Sequence, residues 1–253
     1  MKTRKLFVCN GTGNGKSTLL DRIKGIGYGD VVLHHDVSAT ALKGDAKAQA
    51  EFNLRQTRLI GHIWTAQTGG KKDDATLHVY DRSVLDYMDA SLRSNNIKAY
   101  NAAMSRWTNS VLRPTPEFWD GCTFVVAPTP TLALMQENWE YYLVGKRGEY
   151  WSGVLGVDFL LNVSTSDEVA HRTELLSRIH EQMVRSEAWI TSQLKYLEHS
   201  CRAQGSNITV INFNEVSRCV YDRFDGFYRW QDIAIATLDA TLRGLSGHAT
   251  YTA

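Results

Sequence analysis

Apolar residues in this chain fall into short continuous runs and longer spaced ones. Leu6–Cys9 and Val31–Leu33 are continuous, Leu77–Tyr80, Cys122–Ala127 and Ile208–Phe213 are interrupted only by His78, Thr123, Thr209 and Asn212, and glycine, proline or polar residues bound them. Such runs are too short for helices and suit strands buried on both faces. Between them lie helical patterns: Lys16 to about Lys24, ended by Gly25, Gly27 and Gly29; then 46–67, with Phe52, Leu59, Ile60, Ile63 and Trp64 on one face. Val84 to Leu112 follows, with a break at Asn95-Asn96 and Pro114 and Pro116 closing it; then Thr131–Val144, Glu168 to about Cys201 with a break near Arg185, and Gln231–Leu242. Strands alternating with helices predict an α/β fold, a parallel sheet of about five strands with helices on both faces. The stretch Gly145–Trp151 reads as a polar, aromatic loop, and residues 245–253 as a frayed tail. The reading is one domain, with a lid or insertion at 145–185. Asp158–Val163 competes with 122–127 for the core strand before that lid, and 122–127 is preferred.

The first strand runs into Asn10-Gly11-Thr12-Gly13-Asn14-Gly15-Lys16-Ser17-Thr18, directly before an amphipathic segment. This is the strand–loop–helix setting of a phosphate-binding P-loop, G-x-x-x-x-G-K-[ST]. Gly15-Lys16-Ser17 fits it, and Asn10 stands where the first glycine belongs, so the loop is a variant; asparagine tolerates positive φ better than most residues. Glycines let backbone N–H groups close around an anion, and the helix N-terminus adds partial positive charge. On this reading Gly11, Thr12, Gly13, Asn14, Gly15, Lys16, Ser17 and Thr18 hold the phosphates of ATP. Lys16 reaches the β- and γ-phosphates, and the Ser17 hydroxyl ligates Mg²⁺.

The 253 residues carry a net charge of +1, which argues against a broad nucleic-acid-binding surface. No apolar run is long enough to span a bilayer, so no membrane partner is expected. Cys9, Cys122, Cys201 and Cys219 are scattered without a C-x-x-C pair, as expected of reduced thiols in a cytoplasmic protein. The histidines show no H-x-x-x-H pair, and no structural metal is expected. Trp107, Trp119, Trp139, Trp151 and Trp189 read as packing residues.

Asp81-Arg82-Ser83 ends the strand Leu77–Tyr80. A carboxylate at a strand end near the loop can hold Mg²⁺ or its waters, and Arg82 can pair with a phosphate. The competing reading makes Asp81 or Ser83 the cap of the following helix. The loop together with strand-Asp-Arg-Ser resembles the deoxynucleoside kinase and thymidylate kinase group, over the N-terminal third of the chain. That resemblance implies a P-loop NTPase fold and transfer of the γ-phosphate of ATP, with Mg²⁺, to a nucleoside or nucleotide. It implies Lys16, Asp81 and Arg82 as catalytic groups, Ser17 and Asp81 at the metal, and Asp36 as the base that takes the acceptor hydroxyl's proton. Asp36 lies in His35-Asp36-Val37, without the Glu-Pro dipeptide common in that group.

In the same group the next helix reads the base. Asn53 and Gln56 share a helical face here, and Arg55 or Arg58 is placed to hold a substrate phosphate. Lid arginines come from Lys146-Arg147 or from Arg172, Arg178 and Arg185. Three rivals stand beside this reading: a kinase acting on a polynucleotide hydroxyl, as in phage-type DNA-modifying kinases; a kinase of a non-nucleotide small molecule; and an ATPase or switch without an acceptor. Against the last, the chain has no hhhhD-E motor signature and no N-K-x-D guanine reader. A homodimer is compatible with the sequence.

Overall fold

The computed structural model describes residues 4–10, 14–26, 31–34, 64, 77–93, 95–112, 119–157, 159, 168–213 and 230–246. Its strands are β1 (Arg4–Cys9), β2 (Val31–His34), β3 (Leu77–Asp81), β4 (Thr123–Val126) and β5 (Thr209–Asn212). All pair in parallel, in the order β2-β3-β1-β4-β5. The chain leaves β1 toward the β2 edge, returns through β3, and then crosses to β4 on the far side of β1. The connections therefore diverge between β1 and β4, the place where open parallel sheets receive ligands.

Alternation along each strand splits the core in two. On one face a ring stack in register crosses four strands: His34 on Tyr80 (4.3 Å), Tyr80 on Phe7 (5.0 Å) and Phe7 on Phe124 (4.7 Å). Helices α2 (Val84–Arg93), α3 (Ile97–Leu112) and the second half of α7 (Glu168–Ala203) cover it with Leu85, Met88, Trp107, Ile190 and Leu194. On the other face Leu6, Val8, Val79 and Val125 meet Leu19 and Ile23 of α1 (Lys16–Ile26) and Ala234 and Leu238 of α8 (Trp230–Ser246). Burying each larger aliphatic contributes about 1.5–3 kcal/mol, which is why the central runs β1, β3 and β4 are strands covered on both sides. The run Val31–Leu33, expected to be buried, is an edge strand with Val32 exposed, and β5 at the other edge is also only partly buried.

A third apolar cluster lies beyond β4. Helices α4 (Leu132–Glu137), α5 (Trp139–Leu143) and α6 (Gly145–Leu155) close around Met135, Tyr142, Trp151 and Phe159, against Leu175, Ile179 and Met183 of α7. Here the structure corrects several expectations. The predicted loop Gly145–Trp151 is helix α6, because burial of Trp151 outweighs the two glycines. Thr131–Val144 is two short helices, divided where Asn138 leaves helical backbone at φ −120°, ψ 39°. α7 has no break near Arg185. Its buried residues keep helical spacing from Leu175 to Cys201, and Arg185 is exposed and paired with Glu181 one turn earlier. α1 includes Gly25 and ends at Ile26. The core strand 122–127 is found as β4, whereas 158 and 160–163 lie outside the described residues.

Gly148 shows why a glycine is required inside α6: a Cβ there would collide with the carbonyl group of Leu143, which is backbone and cannot swing aside. Gly148→Ala should therefore destabilise the fold by about 1–3 kcal/mol despite alanine's better helix propensity. Urea denaturation checks this, and an unchanged or raised midpoint would contradict it.

A buried ion pair within α2 is tied to the third cluster through the Tyr150 hydroxyl. Arg93 of α2 donates to Asp89 Oδ2 (2.8 Å) and to the Tyr150 hydroxyl of α6 (2.7 Å). Burial opposes its charge, but Tyr150 and Asp89 hold its pKa above the ordinary value. Among the described residues no helix is long and apolar enough to cross a membrane. Cys9, Cys122 and Cys201 are buried and form no disulfide among the described residues.

Candidate phosphate-binding site

β1 hands the chain to the glycine-rich loop at Asn10, a buried non-glycine residue at φ 93°. Its side chain stabilises that backbone by donating to Ala127 O (2.6 Å) and to Thr129 Oγ1 (3.2 Å) on the segment leaving β4. Asn14 donates to Pro128 O (3.0 Å) on the same segment. Two carboxamides thus fasten the loop across the β1–β4 divergence. The Asn14 Oδ1 oxygen is buried without a hydrogen-bond partner among the described residues. Asn10 therefore does more than tolerate the glycine position; it ties two strand ends together.

Gly15 has φ 73°, and a Cβ on it would collide with the Gln231 side chain. Gln231 donates to Gly15 O (3.4 Å), and an Arg22–Asp232 ion pair holds α8 to α1 nearby. The first turn of α8 thus braces the loop from beneath. Lys16 opens α1, is buried, and its ammonium donates to the Asn10 carbonyl across the loop. The first-turn N–H groups of α1 have no intrahelical acceptors, which suits them to an anion. Ser17 and Thr18 are exposed at that turn.

Asp81 ends β3 in register with Val8 and is buried. The Ser17 hydroxyl donates to Asp81 Oδ2 at 2.7 Å, joining residues 64 positions apart in sequence. Arg82 follows at φ 89°, its N–H donating to Val8 O (3.0 Å). A non-glycine residue held there costs about 1–3 kcal/mol, a strain that concentrates at functional sites. The cap of α2 is formed by Ser83, not Asp81. Ser83 N–H donates to Asp86 Oδ2 (2.8 Å) in a capping-box arrangement.

Lys16, Ser17, Asp81 and Arg82 are therefore gathered at the carboxyl ends of β1 and β3, beside Asn14 and Gly15. Arg147 and Arg172, two of the candidate lid arginines, are occupied elsewhere. Arg147 lies over the Tyr141 ring (3.4 Å) and Arg172 over Trp139 (4.4 Å), with Glu168 4.0 Å from Arg172. Arg178 is partly exposed on α7, without an ion pair among the described residues. Gly11, Thr12, Gly13, Asp36, Asn53, Arg55, Gln56 and Arg58 lie outside the described residues. The strand leading toward Asp36 ends at His34, whose Nε2 lies 2.9 Å from His78 Nδ1. Burial first, and then the charge of His78, pushes the His34 imidazole below its ordinary value.

Asp86 was not among the expected site residues. Its Ser-x-x-Asp spacing is visible in the chain, but its complete burial is not. Burial lifts its carboxyl above the ordinary carboxylate range, against the pull of Lys16 and Arg82. Gln231 was equally unexpected, because nothing local separates it from any other helix-opening glutamine.

Chemically, the site offers helix-terminal amides and an ammonium for phosphate oxygens, plus a hydroxyl and a carboxylate that present oxygen donors together. Those are the donors a hard divalent cation such as Mg²⁺ prefers, so Ser17 and Asp81 fit that ion. A scan against protein-family models and a search of curated proteins each returned no match.

Proposed function

We propose that this protein is an ATP- and Mg²⁺-dependent P-loop kinase that phosphorylates a nucleoside or nucleoside monophosphate. The observation that carries the reading is the 2.7 Å bond from Ser17 to Asp81. It brings the hydroxyl of the Gly-Lys-Ser loop and the carboxylate of Asp-Arg-Ser to one point, at the sheet end where ligands are received. In this reading Lys16 and the loop amides hold the donor phosphates, and Ser17 and Asp81 hold the metal. When bound, Mg²⁺ supplies charge neutralisation to the phosphates. Arg82 faces the transferred group, and its left-handed backbone is the strain expected of a residue fixed for function. Asp36 orients the acceptor or takes its proton. Catalysis is then chiefly orientation and charge neutralisation.

Incubation with γ-labelled ATP, Mg²⁺ and a panel of nucleosides, nucleoside monophosphates and short DNA tests this. Label transferred to a monomeric nucleoside or monophosphate is the expected result. Label found only in inorganic phosphate would overturn the kinase reading, and transfer to DNA alone would move the acceptor to a polynucleotide.

A further inference from the structure

Asp86 has an oxygen that its structural role does not use. The residue is 3% exposed. Oδ2 accepts from Ser83 N–H (2.8 Å) and Ser83 Oγ (3.0 Å), whereas Oδ1 is buried without a hydrogen-bond partner among the described residues. A capping box is ordinarily completed at a solvated helix end, where the second oxygen meets water. Here the second oxygen is shut off from the surface, and a buried carboxylate is costly unless cations offset it.

The offsetting cations come from other elements: Lys16 at the start of α1 and Arg82 at the exit of β3. The remaining titratable neighbour is Cys9 of β1, whose buried thiol is pushed up by desolvation and then by the Asp86 charge. Three elements thus converge on one carboxylate, and two of them contribute the groups that the proposed function gives to phosphate.

We propose that Asp86 is the resident counter-anion of the phosphate-binding cations, and that a bound phosphate makes it take up one proton from solvent on Oδ1. The step converts carboxylate to carboxylic acid and changes no other covalent bond. A phosphate drawn to Lys16 and Arg82 shares out the two charges that stabilise the Asp86 anion, and it adds negative charge nearby. Like charges brought together at low dielectric raise the pKa of the weaker acid. Asp86 is a positioning residue in this scheme, acting through Lys16 and Arg82 without touching the ligand. Linkage gives the sign: if binding takes up a proton, affinity rises as pH falls through the titration of Asp86. The inference rests on reading Asn10–Thr18 as a phosphate site.

Titration calorimetry of the full chain tests it. Sulfate serves as a tetrahedral anion that does not titrate near neutrality, and MgADP as the stronger ligand. Each is measured in two buffers of different ionisation heat, at about pH 6 and about pH 8. The comparison is Asp86→Asn, which keeps an oxygen for both Ser83 donors and removes the charge. Wild type should take up protons on binding, with sulfate bound roughly threefold to tenfold tighter at the lower pH. Asp86→Asn should lose that uptake and vary less than about twofold. Equal uptake by the two proteins would overturn the inference and leave the phosphate site standing. If neither ligand bound, or if Lys16→Met left binding unchanged, both would fall. Should Asp86→Asn not fold, infrared difference spectra of wild type decide: a protonated-carboxyl band on adding sulfate supports the assignment, and its absence overturns it.

Discussion

Lys16→Met should reduce ATP-dependent phosphoryl transfer by a factor on the order of 10³ or more in kcat/KM. The expectation comes from where the side chain sits. Lys16 is buried at the first turn of α1, and its ammonium already bridges the loop to the Asn10 carbonyl. It has little search to do before meeting a phosphate, because the loop fixes its position. Methionine preserves the length and the apolar stem, so the packing of α1 on the sheet should survive. The lost charge leaves the loop amides to hold a polyphosphate without Lys16 and, of the two cations acting on Asp86 among the described residues, leaves Arg82. Arginine is no conservative substitute, because its planar fork does not reproduce the point charge that donates to the Asn10 carbonyl. The check is steady-state kinetics with circular dichroism and a thermal melt beside it. A folded Lys16→Met protein with wild-type turnover would remove the loop from the mechanism.

Strand positions were readable because burial in the central strands writes itself as nearly unbroken apolar runs; Thr123–Val126 falls within the run expected of it, and so does the partly buried edge strand Thr209–Asn212. The break at Asn95-Asn96 was readable too, since α2 ends at Arg93 and α3 begins at Ile97. α6 was obscured by local chemistry: Gly145 and Gly148 look like breakers, and only the nearby Leu143 backbone explains why Gly148 belongs in a helix. The continuity of α7 was obscured by its length, because its apolar stripe serves one cluster near Ile179 and another near Leu194. At the site, Lys16, Ser17, Asp81 and Arg82 could each be named from spacing. What could not be read was tertiary in origin: the tethers of Asn10 and Asn14 to residues 127–129, the brace from Gln231, and the buried second oxygen of Asp86. Each depends on a neighbour more than 60 positions away or on burial that the neighbours create.

The second large effect concerns the pair Ser17 and Asp81. Asp81→Asn should lower kcat by a factor on the order of 10²–10³, and Ser17→Ala by about tenfold to a hundredfold. The double variant should be little worse than Asp81→Asn alone. Residues that act as a unit are non-additive, and these two share a 2.7 Å hydrogen bond. If their common task is holding Mg²⁺, the deficits should shrink as the ion's concentration rises, and the apparent metal affinity should fall in parallel in both single variants. A purely structural bond predicts a different pattern. The hydroxyl lies at an exposed position of the first turn of α1, so its loss would cost about 0.5–1.5 kcal/mol of stability, with turnover and metal dependence unchanged. Measuring kcat against Mg²⁺ concentration for wild type, both single variants and the double variant separates the two. Strictly multiplicative losses with a common metal midpoint would show that Ser17 and Asp81 do not serve one ion.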